Sequence, residues 1–460
     1  MKRCALLTLL ALAACGESTK SISVELTTSA VAILNPYESA NLASVRIVVE
    51  GSATGDDVIR DLDLSTRTAT FEGISAESAT VDVRAYGYDD VGNVVAYGER
   101  LRLDDEGDAS VSFPLHRNLA YIAHYPNGED RNDGVPAPES VLYVVDVVTR
   151  ALVSKYELPA GAVARGVSAR GGKQMLVTYE IGAVGYLGVI SLADHGFTSI
   201  QLDGPQELAL ASEGSPVAVI GGGNLISFAD VDAGTNLGRF AQGVGGRFLD
   251  GAMAADGDDA VFVIDQEPGT LFIDVGDMDV SARNVVAEPG GVGLRGGGDT
   301  VYFTSQGSNR VTAVELGNGN AISYEGGDAT GNVAAYADGL SSVIAVRETT
   351  GRLDRVVALF LYLETDGKPS VQSNVLGDTL ENPLSAVVDG AGTSVLIPAR
   401  GSEESPPGLT VVVGRAITDA PALSTSLYPT DPVDTYTEPD SEIVLRRRYQ
   451  PRSAAIVYGR

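Results

Sequence analysis

The stretch VLYVVDVVTRALVSKYELPAG (residues 141–161) decides how the chain folds. An apolar run, Val141–Val145, ends on Asp146. A short polar link at Thr149 and Arg150 follows, and a second run, Leu152–Leu158, stops at Pro159, Ala160 and Gly161. Runs this short, rich in β-branched residues and closed by Asp, Pro and Gly, read as strands joined by tight turns. Immediately downstream, GVSARGGKQMLVTY (166–179) is again strand, Gly-Gly-Lys turn, strand. One strand type then recurs along the chain, as Leu119–Tyr125, Gln174–Tyr179, Pro216–Gly221, Ala260–Asp265, Thr300–Ser305, Ser341–Arg347 and Thr393–Ala399. Starts lie roughly 40 to 55 residues apart, the period of a four-stranded propeller blade. The segments Pro126–Glu139 and Arg347–Arg355 read as insertions in the two long units.

Seven such units follow, over residues 116–460. The first unit lacks an innermost strand before Leu119. The last already has four, at Leu384–Val388, Ser394–Pro398, Leu409–Val413 and Leu423–Leu427. Arg452–Tyr458 fits the vacant place, so the ring is expected to close on a strand from the far end of the repeat. Pro429–Pro439, rich in Pro and Asp, reads as the loop that crosses to it.

The units resemble YVTN-type β-propellers, whose repeat runs strand, SPDGK-like turn, VYVTN strand, VSVID strand, T-x-x turn, VVATI strand. GVSARGGKQMLVTY is similar to the first half, and residues 141–161 to the second. AADGDDAVFVID (254–265) and DTVYFTSQGSNRVTAVEL (299–316) follow suit. The resemblance implies a propeller and says little about chemistry. No Trp-Asp signature is present, since the chain has no Trp.

Residues 21–115 have a different texture. Candidate strands are Val45–Val49, Thr68–Glu72, Thr80–Tyr86, Val94–Arg102 and Ala109–Phe113. In Thr80–Tyr86, Val81, Val83 and Ala85 share one face while Asp82 and Arg84 share the other, a half-buried strand. Asp89-Asp90-Val91-Gly92-Asn93 is a hairpin turn with Tyr86, Tyr88 and Tyr97 about it. This segment resembles an antiparallel immunoglobulin or fibronectin type III sandwich in pattern, without a Cys-Trp-Cys signature. The fold class is therefore all-β: a small antiparallel β-sandwich followed by a seven-bladed β-propeller.

The chain opens MKRCALLTLLALAACG. Lys2 and Arg3 precede an apolar run, Ala5–Ala14, too short to span a bilayer as a helix. Leu12-Ala13-Ala14-Cys15 resembles the lipobox of bacterial lipoproteins. The resemblance implies a signal peptide over 1–14, cleavage between Ala14 and Cys15, and lipid on the Cys15 thiol. It also implies an outer-membrane destination, because Gly16 and not Asp follows the cysteine. Residues 15–20, within a small and polar stretch running to residue 30, read as a tether. Cys4 falls in the leader, so the exported chain has no disulfide to form.

With 61 acidic and 32 basic residues the net charge is −29, which repels nucleic acid and tolerates cationic ligands. The chemistry of a catalyst is sparse. His116, His124 and His195 share no metal-ligand spacing. Ser168 in GVSARGG lacks the G-x-S-x-G elbow. The glycines of 221–224 and 296–299 lack the Lys-Ser/Thr of a phosphate loop and suit turns. Asp230–Asn236 hints at a calcium loop, but lacks the downstream Glu and reads equally as a turn. The acidic insertion Asn127–Gly134 offers more oxygens, or a solvated loop. Arg446, Arg447, Arg448, Arg452 and Arg460 form a cationic cluster, read as charge balance or as a contact for an acidic partner. These readings favour a non-catalytic binding or scaffold lipoprotein of the envelope, with a protein or glycan ligand on a propeller face and no cofactor. The alternative is a propeller hydrolase or lactonase with a divalent metal in the central channel.

Overall fold

A computed structural model describes residues 19–459 except 51–56, 76–80, 104–108, 125–139, 150, 242–245, 255, 268, 286–288, 295–299, 306–309, 317–318, 326–332, 339–340, 351–352, 364–367, 381–386, 400–407, 414–421 and 428–450. Cys15 and Ala14, the insertion at 126–139, the glycine run at 296–299, Pro429–Pro439, Arg446–Arg448 and Arg460 lie outside the described residues.

The first domain is a sandwich of a three-stranded and a five-stranded sheet. Apolar side chains at every second position, Ile22, Val24 and Leu26 from Thr19–Thr27 and Val45, Ile47 and Val49 from Ser44–Glu50, meet between the sheets and are buried. Thr19–Thr27 is the central strand of the smaller sheet, antiparallel to Thr68–Ser75 and parallel to Ala109–Pro114. Thr19 and Lys20, expected at the end of the tether, open this strand instead. Its polar residues, Ser21, Ser23 and Glu25, are the solvent half of an alternating strand. The partition of strands also departs from the immunoglobulin one. There, strands A, B, E and D share one sheet. Here the first, fourth and seventh share a sheet, and the second, third, fifth, sixth and short eighth form the other. The chain crosses to the opposite sheet straight after its first strand, through the Asn35-capped turn of helix Pro36–Ser39.

The rest is a β-propeller. Five four-stranded antiparallel sheets stand beside one of eight strands, which divides at a single parallel bridge, Glu325 to Ser370, into two runs of four. All seven recurrent strands of the repeat fall in second place from the inside of their sheets. Adjacent innermost strands pack together around a ring: Pro451–Ile456, Val163–Arg170, Leu208–Leu210, Phe248–Met253, Pro289–Leu294, Val333–Asp338, Val387–Val388 and back to Pro451–Ile456. Ala454, Ala455 and Ile456 pair antiparallel with Ile122, Tyr121 and Ala120, and all six are buried. The expected insertion at Arg347–Arg355 is instead the end of a long hairpin, with Arg347 opposite Val356 and Thr350 opposite Leu353.

Neighbouring blades are tied by buried polar groups. The Arg170 guanidinium, 2% exposed, donates to the Ser212 and Ser215 carbonyls and forks onto the Asp232 carboxylate at 2.6 and 3.0 Å. The Asp250 carboxylate accepts from the Gly251 amide at 2.9 Å and from the Val292 amide of the next blade at 3.2 Å. Burial pushes its carboxyl up to about 7. The Val167 amide donates to Ser453 Oγ, which binds the closing strand to the second blade.

Candidate functional site

The five-stranded sheet turns one face to the sandwich core and the other towards the propeller rim. Because strand residues alternate, Arg46 and Glu50 of one strand and Asp82, Arg84, Tyr86 and Tyr88 of its neighbour share that outer face. The cations there are already engaged. Arg46 forks onto Asp61 at 2.7 and 3.2 Å, and its guanidinium lies 5.7 Å from the Tyr88 ring centre. Arg84 is paired with Glu50 and with Asp82 at 3.2 Å, and lies 3.8 Å from Glu99.

The tyrosines form a ladder from the surface into the domain junction. Tyr88 stacks on Tyr86 at 6.4 Å, Tyr86 meets Tyr97 edge-on at 5.3 Å, and Tyr97 meets Tyr458 edge-on at 5.6 Å. Tyr458 is buried and donates its phenol proton to the Pro114 carbonyl at 2.7 Å, joining the closing strand to the sandwich. A Cβ at Gly172 would overlap the Tyr458 ring, and one at Gly390 would overlap Tyr97, so these turns require glycine. Around the same ring, His116 Nε2 bonds the Gly172 carbonyl at 2.9 Å, and Glu213 accepts from the Gly172 amide at 2.6 Å. Burial drives the His116 imidazole down to about 4, keeping it neutral, and raises the Glu213 carboxyl. On the other flank, Ser29 Oγ donates to the Leu192 carbonyl and the Asn118 side chain to the buried Asp389.

At the open end of the ladder lies a cleft of ≈ 680 Å³. Its sandwich side is Arg46, Tyr86, Tyr88 and the turn 89–94, and its propeller side is Val148, Ala391 and Thr393. The turn is held by Asp89, whose carboxylate accepts from the Val91 and Asn93 amides and the Asn93 side chain. Asp90 and Val91 project into solvent at its tip.

The structure disperses the other sequence candidates. His116 sits in the junction, His124 in the Leu119–His124 strand, and His195 in a turn with φ of 58°, its Nε2 2.9 Å from the Tyr121 hydroxyl. Ser168 lies on an innermost strand, and its Oγ has no hydrogen-bond partner among the described residues. Gly222, Gly223 and Asn224 form a turn with positive φ. Asp230 caps its own turn by accepting from the Asp232 and Ala233 amides, while Asp232 is held by Arg170. Arg452 lies in the closing strand. Among the described residues no group of three or more His, Cys, Asp and Glu could hold a metal, and no helix is long and apolar enough to cross a membrane. Sequence reasoning noticed Tyr86, Tyr88 and Tyr97 but not the ladder. The i, i+2 spacing of Tyr86 and Tyr88 was the signal that they share a face; Tyr458 carried none.

No family model matches the chain, and no curated protein matches it. Solved structures do. A protein from Lactobacillus plantarum is 9% identical, with 74% of this chain and 99% of that one covered at a TM-score of 0.49. The β-propeller domain of Myceliophteria thermophila Cps50 (Swd1) is 10% identical, covering 60% and 88% at 0.44. Kuenenia stuttgartiensis hydrazine synthase is 13% identical, covering 58% and 81% at 0.45. The assignment of the propeller rests on the ring of sheets described above.

Proposed function

We propose that this chain is a non-catalytic binding or scaffold lipoprotein of the bacterial envelope, processed between Ala14 and Cys15 and held to the outer membrane by lipid on Cys15. Its partner is a protein or glycan, and it needs no cofactor. The observation that carries the non-catalytic reading is where the buried ionisable groups go. Arg170, Asp250, Asp389, Glu213 and His116 are each engaged by backbone or by a side chain of a neighbouring blade or domain. Groups fixed in that way hold blades together and do not converge on a substrate. The lipid reading is supported by the lipobox, and by the roughly 0.8 kcal/mol that each buried acyl methylene contributes to anchoring.

Two measurements test this. Cys15→Ser should abolish detergent-phase partitioning and alter the mature mass; a variant that partitions like its parent with the same mass refutes the anchor. The purified protein should hold no stoichiometric calcium or zinc and turn over no lactone or ester. One bound equivalent of metal together with turnover would establish the lactonase-like alternative instead.

A further inference from the structure

We propose that the cleft between the sandwich and the propeller rim receives a lysine or arginine side chain from an extended segment of a partner protein. The inference deepens the binding-module reading by naming the place and the chemistry.

Three observations select a long cationic side chain. First, the cleft is acidic in balance. Among the described residues Asp89 and Asp90 line it, and the one cation there, Arg46, is already forked onto Asp61. The whole chain carries −29, so the surrounding field draws positive groups in. Second, two half-buried tyrosines, Tyr86 and Tyr88, stand at the wall with near-parallel rings, an interplanar angle of 23°. Ring faces attract guanidinium and ammonium groups, and Arg46 already makes that contact with Tyr88. Third, Val91, Val94, Val148 and Ala391 supply apolar surface beside those charges. Lysine and arginine need that pairing, because their aliphatic stems lie along apolar surface while the charged head stays polar. A bare metal ion has no use for the apolar wall. A volume of ≈ 680 Å³ is larger than one side chain and leaves room for flanking backbone.

The test uses the full lipidated chain in detergent micelles and a fluorescent Gly-Arg-Gly-Arg-Gly peptide, with the Gln-for-Arg peptide as reference, followed by anisotropy at about 0.15 M salt. The Arg peptide should bind more tightly than the Gln peptide. Asp90→Asn, at an exposed turn tip, and Tyr88→Ala should each weaken it roughly three- to tenfold. Asp277→Asn, an exposed acid on a distant blade, should leave it unchanged. Equal weakening in all three variants would mean diffuse attraction to an acidic surface and would overturn the proposal. So would equal affinity for the two peptides, or displacement of the Arg peptide by a neutral oligosaccharide. Anchoring by Cys15 is read separately by phase partitioning, so failure here leaves that reading standing.

Discussion

Removing residues from Pro451 onward should open the propeller and loosen the sandwich together. The closing strand buries Ala454, Ala455, Ile456, Val457 and Tyr458. Truncating a buried Ile to Ala alone costs about 2–5 kcal/mol, so Ile456→Ala sets the lower step of a graded series. In a chain of 460 residues, whose unfolding entropy is about 1 kcal/mol/K, that corresponds to a fall in melting temperature of roughly 2–5 °C. Full deletion removes all five side chains and the backbone ladder to Leu119–His124, and with it the Tyr458 bond to Pro114. The summed loss reaches the roughly 5–15 kcal/mol by which whole domains are stable. The exposed edge of Leu119–His124 would also template aggregation. Thermal melts followed by circular dichroism, with light scattering alongside, read both effects. Ile456→Ala should melt earlier as one transition, and the truncated chain should be insoluble or should melt in two steps. A truncated chain that stays soluble and melts as the parent does would refute the closure argument.

Replacing Arg170 by Ala should destabilise the chain by about 3 kcal/mol, because the Ser212 and Ser215 carbonyls lose their buried donor. Arg170→Lys should recover only part of this, an ammonium having no fork; urea midpoints give both values. The pH response separates two groups. His116 is depressed from 6.5 to about 4 in the fold, so the unfolded chain takes up its proton first and stability falls as pH drops from about 6.5 to 4. The loss from this group is up to about 3 kcal/mol, and His116→Gln should acidify with a smaller loss than the parent. Asp250 runs the other way: its folded value is raised to about 7, so its contribution is present below the unfolded value and fades as pH rises to 7. The difference between Asp250→Asn and parent in urea should therefore shift in the variant's favour between about pH 4 and 7; a flat difference would show that the carboxyl is not buried.

The strands of the repeat were legible because blade formation is local. Residues 174–179 could be aligned with 300–305 from the alternation of apolar runs and Gly or Asp turns, and both lie second from the inside of their sheets. The hairpin about Asp89–Asn93 was readable for the same reason, since Asp, Gly and Asn satisfy the turn with their own backbone and side chains. Thr19–Thr27 is missing from the expected strands, and Thr19 and Lys20 from the expected sandwich, because Ser and Thr at its solvent positions look like linker unless the buried partner at every second residue is weighed. The strand partition of the sandwich depends on which sheet each strand joins, and no turn residue encodes that. The cleft combines Arg46 and Tyr88 of the sandwich with Val148 and Ala391, which stand on two blades far apart in sequence but adjacent in the ring. Such a juxtaposition exists only after the propeller rim has met the sheet.

Tyr458 and Pro114 are 344 residues apart, yet one hydroxyl joins them. One strand therefore serves both the ring and the first domain. Until it is seated, the gap beside Leu119–His124 is a receptor for Pro451–Ile456 of any copy, its own or a neighbour's. At high concentration, refolding should yield exchanged dimers in which each molecule's strand completes the other's first blade, a trade that leaves every buried contact of the monomer in place.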